Sequence, residues 1–154
     1  MSELRFWVSG EPRTQGSKRG MPIYRGKKGA RVFTGKVVMM EGANRSATEK
    51  FKVWREDVRI AANNAKVQAG WMTADEPVGL VLTFYLAKPQ KPPFDLPATG
   101  LDLDKCIRCV GDSLKDAGIY VNDSRICDVV ARKRYADHEH STGVDVTVRR
   151  LNPE

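Results

Sequence analysis

At 154 residues, the chain is long enough for one domain with a sizeable core, whereas two independent cores would both be marginal. Hydrophobic residues make up 41% and charged residues 29% of the sequence, which is ordinary for a folded globular protein. The net charge of +7 favours a polyanionic partner, either nucleic acid or an anionic membrane face. No apolar run reaches the roughly 18 residues of a spanning helix, and the opening residues do not resemble a secretory signal. We therefore expect a cytoplasmic protein that binds nucleic acid and no membrane.

The three cysteines, Cys106, Cys109 and Cys127, cannot all pair with one another, which favours reduced thiols. A zinc site is an alternative, because Cys106 and Cys109 form a C-x-x-C pair and His138 and His140 follow. That pair, however, falls within a predicted amphipathic helix, and the sequence has no second C-x-x-C. We expect buried structural thiols instead.

A cationic, glycine-rich segment spans residues 11–36, where eight lysines and arginines accompany one acid, Glu11. Residues 32–34 could pair with 37–40 as a short hairpin across Gly35-Lys36. A charge run is most often a solvated surface, but a glycine-rich loop with this excess of cations can also lie along phosphates. We expect the segment to bind DNA through Arg13, Lys18, Arg19, Lys27 and Lys28.

Hydrophobic spacing and turn residues predict the remaining elements. The capping-box sequence that begins at Ser46 precedes apolar residues spaced by three and four, which predicts a helix up to Gly70 with Trp54 in the core. Further elements are predicted from similar patterns: strands over 5–10, 78–87, 126–135 and 143–151, an extended proline-rich loop over 88–97, and a second helix over 104–117. This order predicts a single α+β domain over residues 1–154, with a mixed or antiparallel sheet and two main helices.

Three aspartates are the candidate chemical groups. Asp102 and Asp104 lie where an extended loop meets the second helix, and side chains two apart in extended backbone point the same way. Asp104 alone could instead be the helix N-cap. Helix capping does not account for Asp102, nor for Asp123 on the loop before the next strand. Three converging carboxylates would repel one another unless a cation lay between them, and Mg²⁺, with Mn²⁺ as a substitute, prefers such hard oxygen ligands.

A metal ion held in this way would polarise a phosphodiester and lower the pKa of a water molecule that attacks phosphorus. Arg108 follows Asp104 by one helical turn and is the best-placed cation to stabilise the transition-state charge, with Lys105 as the alternative. The pattern therefore predicts a metal-dependent nuclease whose metal ligands are Asp102, Asp104 and Asp123.

The stretch from Leu101 to Asp128 resembles the RusA family of Holliday-junction resolvases. Their signature runs approximately P-D-x-D-N-x-x-K-x-x-x-D-x-L and then G-x-x-x-D-D-x-x-[IV]. The chain supplies most of its defining residues: Asp102, Asp104, Asp112, Leu114, Gly118, Asp123 and Ile126. The likeness extends to the opening strand, to the loop from Gln15 to Lys18 and to residues 54–62, so it covers nearly the whole chain in order.

The segment departs from that signature in four ways. Gly100-Leu101 replaces the pair before the first aspartate, so the proline is missing, and Asn122 replaces the first of the paired aspartates. Lys105 stands in place of asparagine, and Arg108 in place of lysine. Because arginine clamps phosphate but is a poorer proton donor than lysine, the catalytic cation remains open between Arg108 and Lys105.

The resemblance implies a homodimeric, Mg²⁺-dependent endonuclease that binds four-way DNA junctions by shape and nicks two opposing strands. The residues alone leave three alternatives. These are a non-catalytic basic DNA-binding module, a nuclease for flaps, forks or plain duplex, and a zinc-stabilised binding module.

Overall fold

A computed structural model of the chain describes residues 2–16, 19–27, 29–40 and 45–152, with side chains except at 19–22, 38–40 and 45–46. Its elements follow in chain order: β1 (Glu3–Ser9), β2 (Arg19–Arg25), β3 (Val32–Met40), α1 (Arg45–Ala69), β4 (Val78–Leu86), α2 (Leu103–Asp116), a 3-10 turn (Asp123–Arg125), β5 (Ile126–Tyr135) and β6 (Gly143–Arg150). The described ranges thus form an α+β domain with two helices, as predicted, plus a separate two-stranded hairpin.

The main sheet has four strands in the order β1-β6-β4-β5. β6 runs antiparallel to both β1 and β4, whereas β4 and β5 are parallel, so the sheet is mixed. A parallel pair needs a crossover connection, and here that connection contains the proline-rich loop and α2. The crossover carries α2 and the turn after it to the end of the sheet where β5 begins.

One face of the sheet packs against the helices. Alternate side chains of β1, β4 and β6 point inward and are buried: Leu4, Val8, Leu80, Leu82, Phe84, Val144, Val146 and Val148. The inward face of α1 contributes Phe51, Trp54, Val58 and Ala62, and the 1% exposure of Trp54 confirms its predicted core position. The side chain of Ser46, the predicted helix cap, lies outside the described part.

α2 begins one residue earlier than predicted. Asp102, with extended backbone angles, is its N-cap, so the alternative that made Asp104 the cap is wrong. The helix ends at Asp116, and Gly118 follows with a φ of +76°, a left-handed conformation that glycine adopts most easily. The amphipathic spacing located the helix well but not its first residue.

The predicted hairpin within residues 32–40 is wrong. These residues form one strand, β3, and its partner is β2, which was predicted to be loop. Gly35, with a φ of +78°, lies at an irregularity inside β3 instead of at a turn. The connection between the strands includes Gly26, where a Cβ atom would come within 2.8 Å of the Ala30 carbonyl oxygen, so the tight turn needs glycine there.

The thiols divide into two groups. Cys106 and Cys109 are fully buried in α2, as expected, whereas Cys127 is exposed. The expectation is wrong for Cys127 because β5 is the edge strand of the sheet and several of its side chains face solvent. Neither helix of the described chain combines the length and apolar character needed to cross a membrane.

Candidate functional site

A groove of about 470 Å³ lies beside α2, between the loop after β1 and the start of β5. Its lining combines two carboxylates, one guanidinium and several small or apolar groups: Gln15, Gly16, Ile107, Arg108, Gly111, Asp112, Asp123, Ile126 and Val129. Arg108 and Asp112 share one face of the helix because they are four residues apart. The opposite face, which includes Cys109, Val110 and Leu114, is buried and fixes the orientation of the groove. We call this site the acidic groove.

Asp112 and Asp123 form a carboxylate pair in the acidic groove. Burial, a hydrogen bond to Asp112 and repulsion by its charge raise the pKa of Asp123 to about 6, although Lys115 acts in the opposite direction. Asn122 helps to position the pair, because its Oδ1 atom accepts a hydrogen bond of 2.9 Å from the Ser124 amide and caps the turn that Asp123 begins. A cation bound between the two carboxylates would relieve their repulsion.

Gln15 connects the loop after β1 to α2. Its amide nitrogen donates a hydrogen bond to the Asp112 carboxylate, and its backbone N–H donates to the Lys105 carbonyl at 3.1 Å. Its Oε1 atom is buried and has no hydrogen-bond partner in the part of the chain that the structure describes. Sequence analysis included Gln15 in a family-like loop but gave it no role, since nothing local indicated the contact with Asp112.

Asp102 and Asp104 lie at the N-terminus of α2. The Asp102 carbonyl accepts a 3.0 Å hydrogen bond from the Cys106 amide, but its carboxylate forms no capping bond and instead pairs with Lys105 at 3.2 Å. Asp104 is exposed in the first helical turn. The backbone is extended at Asp102 but helical from Leu103 onward. The prediction that the Asp102 and Asp104 side chains point the same way, which assumed extended backbone at both, therefore loses its basis.

Both carboxylates act on Cys106, whose buried thiol lies nearby. Burial, with smaller contributions from the charges of Asp102 and Asp104, raises the pKa of Cys106 to about 11, although Lys133 acts in the opposite direction. This thiol is therefore protonated at neutral pH, which makes it a core group and a poor metal ligand.

The predicted metal ligands occupy two separate places. Asp104 and Asp112 are eight residues apart on α2, which corresponds to about 12 Å along the helix axis. Across the described ranges, no three histidine, cysteine or acidic side chains lie close enough to hold one metal ion. One chain thus presents two acidic pairs, Asp102/Asp104 and Asp112/Asp123, and the assignment of Asp102, Asp104 and Asp123 as joint ligands stays a prediction.

The two candidate catalytic cations are placed differently. Arg108 is exposed and lines the acidic groove, whereas Lys105 contacts Asp102 outside the groove lining. Lys133 is a third cation, which sequence analysis missed; its Nζ atom donates a 2.7 Å hydrogen bond to the Leu101 carbonyl, just before Asp102. The two residues are 32 positions apart, so no local pattern could have indicated the contact.

The predicted DNA-binding cations are spread along the loop and the hairpin. Arg13 is partly buried and pairs with Glu11. Arg19 begins β2, and Lys27 is exposed in the connection between β2 and β3. Lys18 and Lys28 lie outside the described residues.

Comparison with known proteins gives one family. A family model described as "Endodeoxyribonuclease RusA" matches residues 34–149, or 116 of the 154 residues. No curated protein matches the sequence. The matched span contains both acidic pairs and Arg108 but not Gln15, nor most of the cationic segment.

Proposed function

This chain belongs to the RusA endodeoxyribonuclease family, and we propose that it resolves four-way DNA junctions by paired, Mg²⁺-dependent nicks. Family membership makes it an endodeoxyribonuclease, a hydrolase of DNA phosphodiester bonds, and implies activity on Holliday junctions. The observation that carries the mechanistic part is the acidic groove, where Asp112 raises the pKa of the neighbouring Asp123 and Arg108 lies in the same lining.

The groove residues fit Mg²⁺. Carboxylate oxygens are its preferred ligands, and the raised pKa of Asp123 indicates a place where positive charge is missing. The partnerless Oε1 atom of Gln15 is a further hard oxygen close to the pair. Bound Mg²⁺ polarises the phosphodiester and makes a water molecule acidic enough to attack at neutral pH. We propose Asp123, together with Asp102 and Asp104, as its ligands.

The chain's own side chains then divide the work. Arg108 faces the groove, where its guanidinium can bind the phosphate and stabilise the negative charge that grows on the transition-state oxygens. Asp112 orients Asp123 and Gln15 through its hydrogen bonds to both. Lys105 is engaged by Asp102, so we assign the catalytic cation to Arg108.

We propose that the working unit is a symmetric homodimer. Two opposing nicks require two equivalent sites, which a two-fold axis supplies. The separation of the two acidic pairs along α2 supports this proposal. A second chain could bring its own Asp102 and Asp104 to the groove that holds Asp123, which the first chain does not do alone.

The cationic segment is the proposed phosphate-binding surface. Lys27 and the other exposed cations of the hairpin would neutralise backbone phosphates and release counterions. Such contacts supply affinity without base sequence information, which suits an enzyme that selects a DNA shape.

Cleavage of labelled DNA tests the proposal. The purified protein, with Mg²⁺, Mn²⁺ or a chelator, is incubated with a four-way junction, a flap, a fork and a duplex that share one arm sequence. We expect divalent-dependent cuts on two opposing strands of the junction, and linear product from a cruciform plasmid within one binding event. Sedimentation should give twice the chain mass of 17.2 kDa.

Asp123→Asn is the matched control, because it removes one charge and preserves the shape of the side chain. If flaps, forks or duplex were cut as fast as the four-way junction, the proposed substrate would be a broader class of DNA. Cutting that persists in the chelator would contradict the metal, and full activity in a stable monomer would contradict the dimer.

A further inference from the structure

The β2–β3 hairpin, residues 19–40, projects as an arm. Its strands pair with each other along most of their length, including Tyr24 with Phe33 and Arg25 with Val32. In the described chain, the extensive packing of both strands is with each other and not with the helices or the four-stranded sheet. The arm is therefore held by cross-strand contacts, one of which joins the Thr34 hydroxyl to the Ile23 carbonyl at 2.7 Å.

The arm exposes large apolar side chains that no core covers. Tyr24 is 53% exposed and Phe33 is 52% exposed. Their rings lie side by side across the two strands, with centroids 5.9 Å apart and planes tilted by 57°. Val37, on the same strand as Phe33, is 55% exposed, whereas Val32, 67% exposed, points to the opposite face because it directly precedes Phe33 along β3. Exposed apolar groups that cluster in this way indicate a binding surface.

Charge identifies the partner class. Residues 19–40 contain six lysines and arginines and no acid, so the arm complements a polyanion along its whole length. The same arm presents two aromatic faces, which stack on nucleobases without regard to sequence. A two-stranded ribbon is also narrow enough to enter the major groove of DNA. Cations that bind phosphates and rings that bind bases together favour DNA with accessible base faces.

We propose that Tyr24 and Phe33 form a wedge that stacks on unpaired or opened bases at the branch point of the DNA substrate. The wedge deepens the proposed function and rests on it, because a branch point is where base pairs open at the lowest cost. Apolar side chains inserted between base steps unstack them and bend the duplex. The exposed cations of the same hairpin, such as Arg25 and Lys36, hold the flanking phosphates. The arm thereby distinguishes branched from linear DNA.

The experiment places 2-aminopurine, whose fluorescence rises on unstacking, at the branch point of a four-way junction. Binding is measured with Ca²⁺ in place of Mg²⁺, for the wild-type protein and for the Tyr24→Ala/Phe33→Ala variant. We expect the wild type to raise the fluorescence and the variant not to do so. The variant should bind the junction about tenfold more weakly, as loss of base stacking predicts, with duplex binding unchanged.

Three matched variants define the cause. Val67→Ala/Met72→Ala removes two other exposed apolar side chains and should leave the signal intact. Lys27→Ala/Lys36→Ala should weaken junction and duplex binding alike and keep the signal at saturation. Tyr24→Phe retains the ring and should restore most of the junction preference.

The outcomes separate the wedge from the proposed function. A wild-type protein that cuts junctions without raising the fluorescence, or a double variant that keeps the rise, would overturn the wedge and leave the nuclease assignment standing. A double variant with half the sedimentation mass would overturn it too, because the rings would then be a contact between copies. If the wild-type protein neither prefers nor cuts junctions, the proposed function fails and the wedge fails with it.

Discussion

The two acidic pairs of this protein contain the same chemical groups in opposite electrostatic surroundings. Asp102 and Asp104 lie at a helix N-terminus, where the helix dipole and Lys105 offset their charge. In the acidic groove, burial, a hydrogen bond to Asp112 and repulsion by its charge raise the pKa of Asp123 to about 6. The first pair is stable as it stands, whereas the second has a deficit of positive charge.

This difference indicates that the ligands of one metal ion can come from two places where the free-energy cost of holding a negative charge differs. A carboxylate whose negative charge is offset by neighbouring groups is stable in solvent without a bound cation. A carboxylate whose charge is not offset is stabilised when a cation binds. The pairs therefore predict different responses to the same Asp→Asn change, and four measurements can break or sharpen the contrast.

The largest expected effect is on catalysis. Asp→Asn at position 102, 104 or 123 should lower the cleavage rate by roughly a thousandfold or more, because a metal that supplies several kcal/mol of transition-state stabilisation is lost. Junction binding in Ca²⁺ and the circular dichroism spectrum should remain close to wild type. Wild-type turnover in any one of these variants would remove that residue from the ligand set.

Mixed dimers test whether the two pairs meet across the dimer. An Asp102→Asn/Asp104→Asn chain and an Asp123→Asn chain are each inactive, but a dimer of the two retains one intact site if each site draws ligands from both chains. In a randomly reassembled equimolar mixture about half of the dimers are mixed, and each has one working site of two. We then expect the mixture to recover up to about a quarter of the wild-type nicking rate, with single nicks in place of paired cuts. Ligands drawn from one chain would leave every site of the mixture defective, and no activity would return.

Arg108 and Lys105 should differ in the next measurement. Arg108→Ala is expected to lower the cleavage rate by about a hundredfold, a typical cost of losing one transition-state donor, with a smaller effect on binding. Lys105→Ala removes a cation that the structure places against Asp102 outside the groove, so it should change the rate little. The reverse ranking, measured by single-turnover kinetics, would assign the catalytic role to Lys105.

The smallest effects are on stability without metal, and they have opposite signs. Because the folded state raises the pKa of Asp123 from 3.8 to about 6, the wild-type protein should lose stability as pH rises between those values. Asp123→Asn should remove this loss and raise the free energy of unfolding at pH 7 by about 1 kcal/mol, after allowance for solvent screening. Asp102→Asn should lower it by about 0.5 kcal/mol, since a negative charge at a helix N-terminus is lost.

Urea unfolding of both variants with a chelator, at pH 4 and pH 7, measures these changes. Ser124→Ala, on the exposed turn beside Asp123, is a control that preserves both carboxylates. Two variants that shift in the same direction would show that the pairs are electrostatically alike.

The elements that the sequence predicted well depend on local patterns. The bounds of β5, 126–135, agree with the prediction, and those of α2 differ by one residue at each end. In α2, apolar residues recur at spacings of three and four, and Gly118 ends the pattern. Strand β2 was missed because its residues pair with residues of β3 that lie seven to twenty-one positions away. The glycine-rich sequence of this segment also has no regular spacing of apolar residues that would indicate a strand.

The candidate site residues were chosen by residue type, and the sequence could not give their arrangement. Asp112 appeared as part of a motif, yet its contacts with Gln15 and Asp123 join three segments that only the tertiary fold brings together. The expectation that the Asp102 and Asp104 side chains point the same way assumed extended backbone between them. That assumption is wrong because the helix begins at Leu103, and their joint binding of a metal ion stays a prediction. Residue type can therefore indicate the kind of chemistry at a site, but spacing along the chain does not give the relative positions of its side chains.

The pairing of β1 with β6 has a consequence for the order in which the molecule can form. Glu3 lies opposite Arg149, so β1 gains its neighbour in the sheet only after β6 has been synthesised. During translation α1 and α2 can form early, but their apolar faces stay without the complete sheet until β6 emerges and fills the position between β1 and β4. Contacts this distant along the chain close slowly, and we expect the nascent nuclease to expose its apolar surface until β6 has been synthesised.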